Sequence, residues 1–127
     1  MRTRSAGVIL LLLAASGAQA APRGADRAPS DPALATLRDA ATECFARGIR
    51  SNRRAVTLAR EGRWYEAAGL SASLCRPEVG AMVRRHDDLH GFGSGGRYFT
   101  GPYVRTLEQA LAARIKPVLE ATATIAP

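Results

Sequence analysis

Cysteine, lysine and long apolar runs are scarce in this sequence of 127 residues. With only two cysteines, the protein is not a small scaffold that depends on many disulfide bonds. The longest uncharged apolar run covers residues 6–15, about half of the roughly 20 residues that cross a bilayer, so no transmembrane segment is expected in the mature chain. Strand-length stretches that alternate polar with apolar residues and are rich in Val, Ile and Thr are not evident. The lack of such stretches predicts an all-α fold.

The rest of the composition is that of an ordinary globular domain. Hydrophobic residues make up 46% of the chain and charged residues 23%, which excludes a disordered protein. The length excludes a multi-domain enzyme and a membrane bundle. The formal net charge is +7 at pH 7, and it falls to +5 if residues 1–20 are removed, because Arg2 and Arg4 leave with them.

The first 20 residues have the three parts of a secretory signal. Arg2 and Arg4 form a basic start, the apolar run 6–15 follows, and Ala18-Gln19-Ala20 is a small-x-small cleavage site before Ala21. An uncleaved membrane anchor is the alternative, which the short apolar run disfavours. The sequence thus predicts a periplasmic or secreted protein, with a signal peptide that is cleaved near Ala20 and Ala21.

The mature chain is predicted to contain a flexible leader, residues 21–31, and a single helical domain, residues 32–127. Asp31 and Pro32 mark a helix start, because an aspartate can accept the unbonded N–H groups and proline suits the first helical position. Apolar residues three and four apart, with Gly62 and Gly91 as stops, predict a bundle of four to five short helices. These helices are expected over residues 32–48, 51–61, 63–75 and 77–90, and from 102 onwards with a kink or an end at Pro117.

Residues 58–67, LAREGRWYEA, resemble the turn of a tetratricopeptide hairpin, in which a glycine separates two helices and small alanines let them approach. No second copy of this pattern is found in the sequence, and solenoid repeats need about three neighbouring copies to bury their faces. An ordinary pair of antiparallel helices is therefore the preferred interpretation.

Cys44 and Cys75 are predicted to form one disulfide bond, because an even cysteine count in an exported protein is typical of disulfide bonding. The bond would clip the first helix to the junction of the third and fourth helices. Free thiols for redox or metal chemistry are the alternative, but the short C-x-x-C spacing of such sites is missing.

The most unusual segment is GFGSGGRYFTG, residues 91–101, which has five glycines and is predicted to be a loop before the last helix. Backbone N–H groups of the loop could cradle an anion with the help of Arg97, but the lysine and the Ser/Thr of a phosphate loop are missing. The preferred interpretation is a structural loop that folds Phe92, Tyr98 and Phe99 back onto the core. Long loops often carry binding function. The candidate binding surface consists of His86, His90, Phe92, Arg97, Tyr98, Phe99 and Tyr103.

His86 and His90 are four residues apart, so two imidazole rings could converge on one metal ion from one face of a helix. Such a site needs at least a third ligand, for example a carboxylate from another helix. The competing interpretation places His86 in the core and His90 near the negative end of the helix dipole. The H-E-x-x-H pattern of zinc proteases is missing. Metal binding therefore stays an alternative.

A basic patch near the end of the first helix consists of Arg47, Arg50, Arg53 and Arg54. Export makes nucleic acid an improbable partner, although the same patch in a cytosolic protein would suggest it. An anionic lipid, a cell-wall polymer or an acidic protein would fit, and a solvated face is the default. Glu43, Glu61 and Glu66 are expected to pair with several of these arginines.

No complete catalytic constellation is found in the sequence. Ser71, Ser73 and Ser94 have no nucleophile-elbow context, and no pair of carboxylates is placed in an obvious cleft. We therefore expect a small exported helical protein without enzymatic activity or cofactor, which acts as a binding or interaction module. A metal-binding protein that uses His86 and His90 is one alternative, and a basic protein that associates with anionic lipid or cell-wall polymer is another.

Overall fold

Six helices follow one another within residues 31–125 and form one all-α bundle, as the sequence predicts. The computed structural model describes residues 31–125, and no strand occurs among them. The helices are α1 (Pro32–Ser51), α2 (Arg53–Arg60), α3 (Trp64–Gly69), α4 (Arg76–His90), α5 (Ser94–Tyr98) and α6 (Val104–Ile125). A π-helical turn (Phe99–Tyr103) joins α5 directly to α6. The predicted secretory signal and residues 21–30 of the predicted leader lie outside the described residues.

The helix ends follow from local capping groups. The side chain of Asp31 accepts the N–H of Leu34 at 2.9 Å, which confirms the predicted start of α1. Asn52 separates α1 from α2 and accepts an N–H in the first turn of α2 at 3.2 Å, a cap that the sequence analysis missed. The stops predicted at Gly62 and Gly91 are confirmed, because φ is 77° at Gly62 and 101° at Gly91.

Helices α1 and α4 run antiparallel and are fastened at both ends. The predicted disulfide joins Cys44 to Cys75 at the start of α4. Near its other end, Arg85 donates two hydrogen bonds to the carboxylate of Asp31, at 2.9 and 3.0 Å. The buried apolar core is formed by Ala41, Cys44, Phe45, Ala46, Ile49, Ala55, Ala59, Trp64, Ala67, Ala68, Cys75, Met82, Tyr103, Leu107, Leu111 and Ile115. None of the helices within residues 31–125 is long and apolar enough to span a membrane.

Helix α3 is shorter than predicted and ends at Gly69 rather than at Cys75. The turn that follows brings Ser71 against Gly48 of α1 and delivers Cys75 to the disulfide. The apolar spacing of Leu70 and Leu74 in the sequence predicts that they are buried in a continuing helix. This prediction is wrong, because the turn leaves these side chains 42% and 66% exposed.

The glycine-rich segment is a short turn followed by helix, not a long loop. Only residues 91–93 form the turn, and helical structure begins at Ser94 instead of near Pro102. Helix α6 also continues past Pro117, at which the sequence predicts a kink or an end. Pro117 removes one backbone hydrogen bond, but Ile115 is buried and Leu119 packs against the core, so tertiary contacts hold the helix on both sides.

Candidate functional site

The turn between α4 and α5 presents a single aromatic side chain to solvent. Gly91 and Gly93 both have positive φ, 101° and 85°, which a residue with a side chain rarely adopts. The N–H of Gly91 donates to the carbonyl of Asp87 at 2.7 Å, and the N–H of Ser94 donates to the carbonyl of Gly91 at 3.1 Å. Phe92, between the two glycines, is 99% exposed. The expectation that Phe92 packs on the core is therefore wrong, because the turn directs it outwards.

A close contact between α4 and α5 fixes this turn. Gly95 is buried against α4, and a Cβ atom at this position would overlap the carbonyl oxygen of Val83. The N–H of Gly95 donates to the carboxylate of Asp87 at 2.7 Å. The glycine is required here for close approach of two backbones, and Asp87 satisfies an N–H group at the start of α5.

His86 connects the two helices through its ring. Its Nδ1 lies 2.9 Å from the hydroxyl oxygen of Ser94, and that hydroxyl donates to the carbonyl of His86 at 3.3 Å. The ring stacks on Tyr98 with a centroid distance of 4.6 Å and an interplanar angle of 15°. The ring of His90 lies 4.6 Å from it at an angle of 50°. His86 is therefore a half-buried positioning residue of the turn.

The environment of His86 disfavours its charged form. Burial lowers its pKa below the ordinary value of 6.5, and the nearby positive charges of His90 and Arg97 act in the same direction, while Asp87 opposes them. We expect His86 to titrate below pH 6.5 in an NMR titration. The unfolded ring then binds its proton at a higher pH than the folded ring, so stability is lost as the pH falls from about 7 to the folded pKa of His86.

The matched variant for this titration is His86→Gln, which keeps a hydrogen-bonding side chain and removes the titration. It should remove the part of the stability loss that occurs between about pH 7 and the folded pKa of His86. Urea unfolding at a series of pH values measures this difference. A His86 that titrates at or above pH 6.5 contradicts the account of its surroundings.

The structure brings together five of the seven residues of the candidate binding surface. His86, His90, Phe92, Arg97 and Tyr98 lie around the turn, and we call them the α4–α5 corner. An open depression of about 260 Å³ beside them is lined by His86, Ser94, Arg97, Tyr98 and Pro102. The sequence does not indicate that Ser94 and Pro102 belong to this surface, because only the reversal at residues 91–93 brings Ser94 back to His86.

The other two residues belong to the interior. Tyr103 is buried, and its hydroxyl lies 3.1 Å from the hydroxyl of Thr42 in α1. Burial raises the pKa of Tyr103 above its usual value. The ring of Phe99 lies 5.6 Å from that of Tyr103 and packs against the core. Phe99 and Tyr103 therefore support the corner from within instead of lining a surface.

The histidine pair lacks a third ligand within the described part of the chain. No group of three or more His, Cys, Asp or Glu side chains that could hold a metal ion is found among residues 31–125. Asp87, the acidic residue next to His86, accepts the N–H of Gly95. The described geometry thus gives no support to the metal-binding alternative with His86 and His90.

The predicted basic patch is exposed, and most of its arginines form no salt bridge within residues 31–125. Arg50 bonds to Glu43 at 2.8 Å, as expected. The expected pairing of Glu61 and Glu66 with the patch is wrong, because both carboxylates bond to Arg63. Within residues 31–125, no salt bridge is formed by Arg47, Arg53 or Arg54.

The sequence matches no protein-family model and no curated protein, and the fold matches no solved structure.

Proposed function

We propose that this protein is a small exported binding module whose contact surface is the α4–α5 corner. The observation that carries the proposal is the complete exposure of Phe92 between two glycines with positive φ. Tyr98, by contrast, stacks on His86, and Phe99 packs against the core.

An exposed phenylalanine that is held by a defined turn is suited to be an interface anchor. Aromatic side chains and arginine are enriched at the residues that contribute most to protein binding. Arg97 is exposed on the same corner, and the depression beside it can receive a side chain of the partner. The complementary surface would be a polypeptide with an apolar pocket for Phe92 and a carboxylate for Arg97.

The buried disulfide supports export. Cys75 is fully buried and Cys44 is 3% exposed, so the bond belongs to the core. Such bonds form and persist in oxidising compartments. Together with the sequence of residues 1–20, this supports a periplasmic or secreted location. Mass spectrometry of the alkylated native protein tests it: an N-terminus at Ala21 and no alkylated cysteine are expected, whereas an intact signal or two free thiols would contradict it.

Site-specific photo-crosslinking in the native host tests the contact surface. A benzophenone-bearing amino acid replaces Phe92 in one variant and Tyr65, which is 57% exposed on α3, in the matched control. We expect a discrete adduct only from position 92. Adding Arg97→Ala should lower its yield about tenfold, as for the loss of an interface residue that contributes more than about 1.4 kcal/mol.

Two results would contradict this function. Equal adduct yields from positions 92 and 65 would show that the benzophenone reacts with any protein that collides with it, and not with a partner bound at the corner. An adduct whose yield is unchanged by Arg97→Ala would show that the corner does not act as one surface.

A further inference from the structure

A second exposed surface lies along the end of α1 and the outer face of α2. Five arginines occupy it, and no acidic residue occurs between Glu43 and Glu61. All five side chains are exposed. We call this surface the arginine ridge, and its members are Arg47, Arg50, Arg53, Arg54 and Arg60.

The ridge concentrates the positive charge of the described chain. Residues 31–125 contain 14 basic and 10 acidic side chains, a net charge of 14 − 10 = +4, whereas the ridge alone carries +5. Of the five ridge arginines, only Arg50 has a salt-bridge partner within the described residues. That partner is Glu43, which also bonds to Arg114 at 3.1 Å. Most of the ridge is therefore free to attract an anionic surface.

Exposed leucines lie at the same end of the bundle. The turn after α3 packs Ser71 against Gly48, the residue next to Arg47, and ends at the disulfide to Cys44. This turn carries Leu70 and Leu74, which are 42% and 66% exposed. The turn that carries these apolar side chains is thus anchored to α1 at the residue next to Arg47.

We propose that this end of the molecule binds the surface of an anionic phospholipid membrane. The guanidinium groups of the ridge would lie on lipid phosphates, with which arginine forms paired hydrogen bonds. Leu70 and Leu74 would enter the boundary between headgroups and acyl chains. The leucines favour a bilayer over a soluble polyanion, because a polyanion offers no apolar phase to receive them.

Co-sedimentation of the native disulfide-bonded protein with lipid vesicles tests the proposal. Binding is expected to phosphatidylcholine vesicles that contain about 30% phosphatidylglycerol and not to phosphatidylcholine alone. Raising the NaCl concentration from about 50 to 500 mM should abolish most of it. The triple variant Arg47→Gln/Arg53→Gln/Arg54→Gln should bind about one hundredfold more weakly, since each arginine near an anionic surface contributes roughly a factor of five.

The matched control removes the same charge elsewhere with Arg38→Gln/Arg84→Gln/Arg105→Gln, three exposed arginines outside the ridge. It should retain most of the binding, because the affinity depends on the local charge. An equal loss in both triple variants would overturn the proposal, since net charge alone would then explain the attraction.

Leu74→Ser and Phe92→Ala separate this surface from the α4–α5 corner. Leu74→Ser should weaken vesicle binding about tenfold, because it removes a side chain that enters the bilayer. Phe92→Ala should leave it unchanged. Unaltered binding of Leu74→Ser, or binding to soluble polyphosphate but not to vesicles, would overturn the membrane assignment and favour a polymer. A failure of crosslinking at position 92 would not change the expected vesicle binding. Each of the two proposals can therefore be refuted independently of the other.

Discussion

Replacing Cys44 and Cys75 by alanine is expected to lower the free energy of unfolding by about 3.5–4 kcal/mol and the Tm by about 15–30 °C. The cysteines are 31 residues apart in sequence, and the bond removes the corresponding loop-closure entropy from the unfolded chain. The same bond fastens α1 to the start of α4 and holds the turn that carries Leu74. Loss of the bond should therefore loosen this end of the bundle first.

Thermal unfolding of the wild type with and without a reducing agent provides the control for this double variant. Reduction should lower the Tm of the wild type by a similar amount and leave the Tm of Cys44→Ala/Cys75→Ala unchanged. A double variant that loses less than about 1 kcal/mol would contradict the structural role of the bond, because other packing would then define the fold without it.

Gly95→Ala is expected to destabilise the protein by about 2–3 kcal/mol, which is the usual cost of forcing extra volume into a packed contact. The added Cβ would overlap the carbonyl oxygen of Val83 and lie 2.9 Å from the carboxylate of Asp87. Backbone atoms cannot move aside as a flexible side chain can. Helix α5 must therefore shift away from α4, which also weakens the bond between the N–H of Gly95 and Asp87.

The neighbouring glycine supplies a matched control. A Cβ atom at Gly96 would meet no other atom within 4 Å, so Gly96→Ala should stabilise the helix by about 0.5–1 kcal/mol. Urea unfolding of the two variants gives the comparison. If both alanines stabilise the protein equally, α4 and α5 do not approach as closely as described.

The sequence predicts the bundle well where a single residue decides local geometry. Asp31 caps α1, Gly62 and Gly91 end helices, and the two cysteines are paired. Each of these residues acts on its own neighbours, or has only one possible partner, so the pattern along the chain is sufficient. The all-α class follows for the same reason, since the apolar spacing of three and four residues is visible without knowledge of packing.

Features that depend on packing between distant segments are not visible in the sequence. Five glycines predict a loop over residues 91–101, but Gly95 is needed for contact with α4, and packing of Tyr98 and Phe99 favours helix over the local propensity. Leu74 continues an apolar pattern, yet the disulfide requires a turn there. The exposure of Phe92 follows from the positive φ angles of Gly91 and Gly93. The sequence shows that these residues are glycines, but it does not give their backbone angles.

The unfolding free energies of Phe92→Ala and Phe45→Ala test whether the α4–α5 corner holds Phe92 outside the core, free to contact a partner. Phe45 is 4% exposed, and its loss should cost about 3–5 kcal/mol. Phe92 is 99% exposed, so its loss should change stability by less than about 0.5 kcal/mol. A cost for Phe92→Ala similar to that for Phe45→Ala would contradict the account, because Phe92 would then stabilise the fold instead of being free to bind a partner.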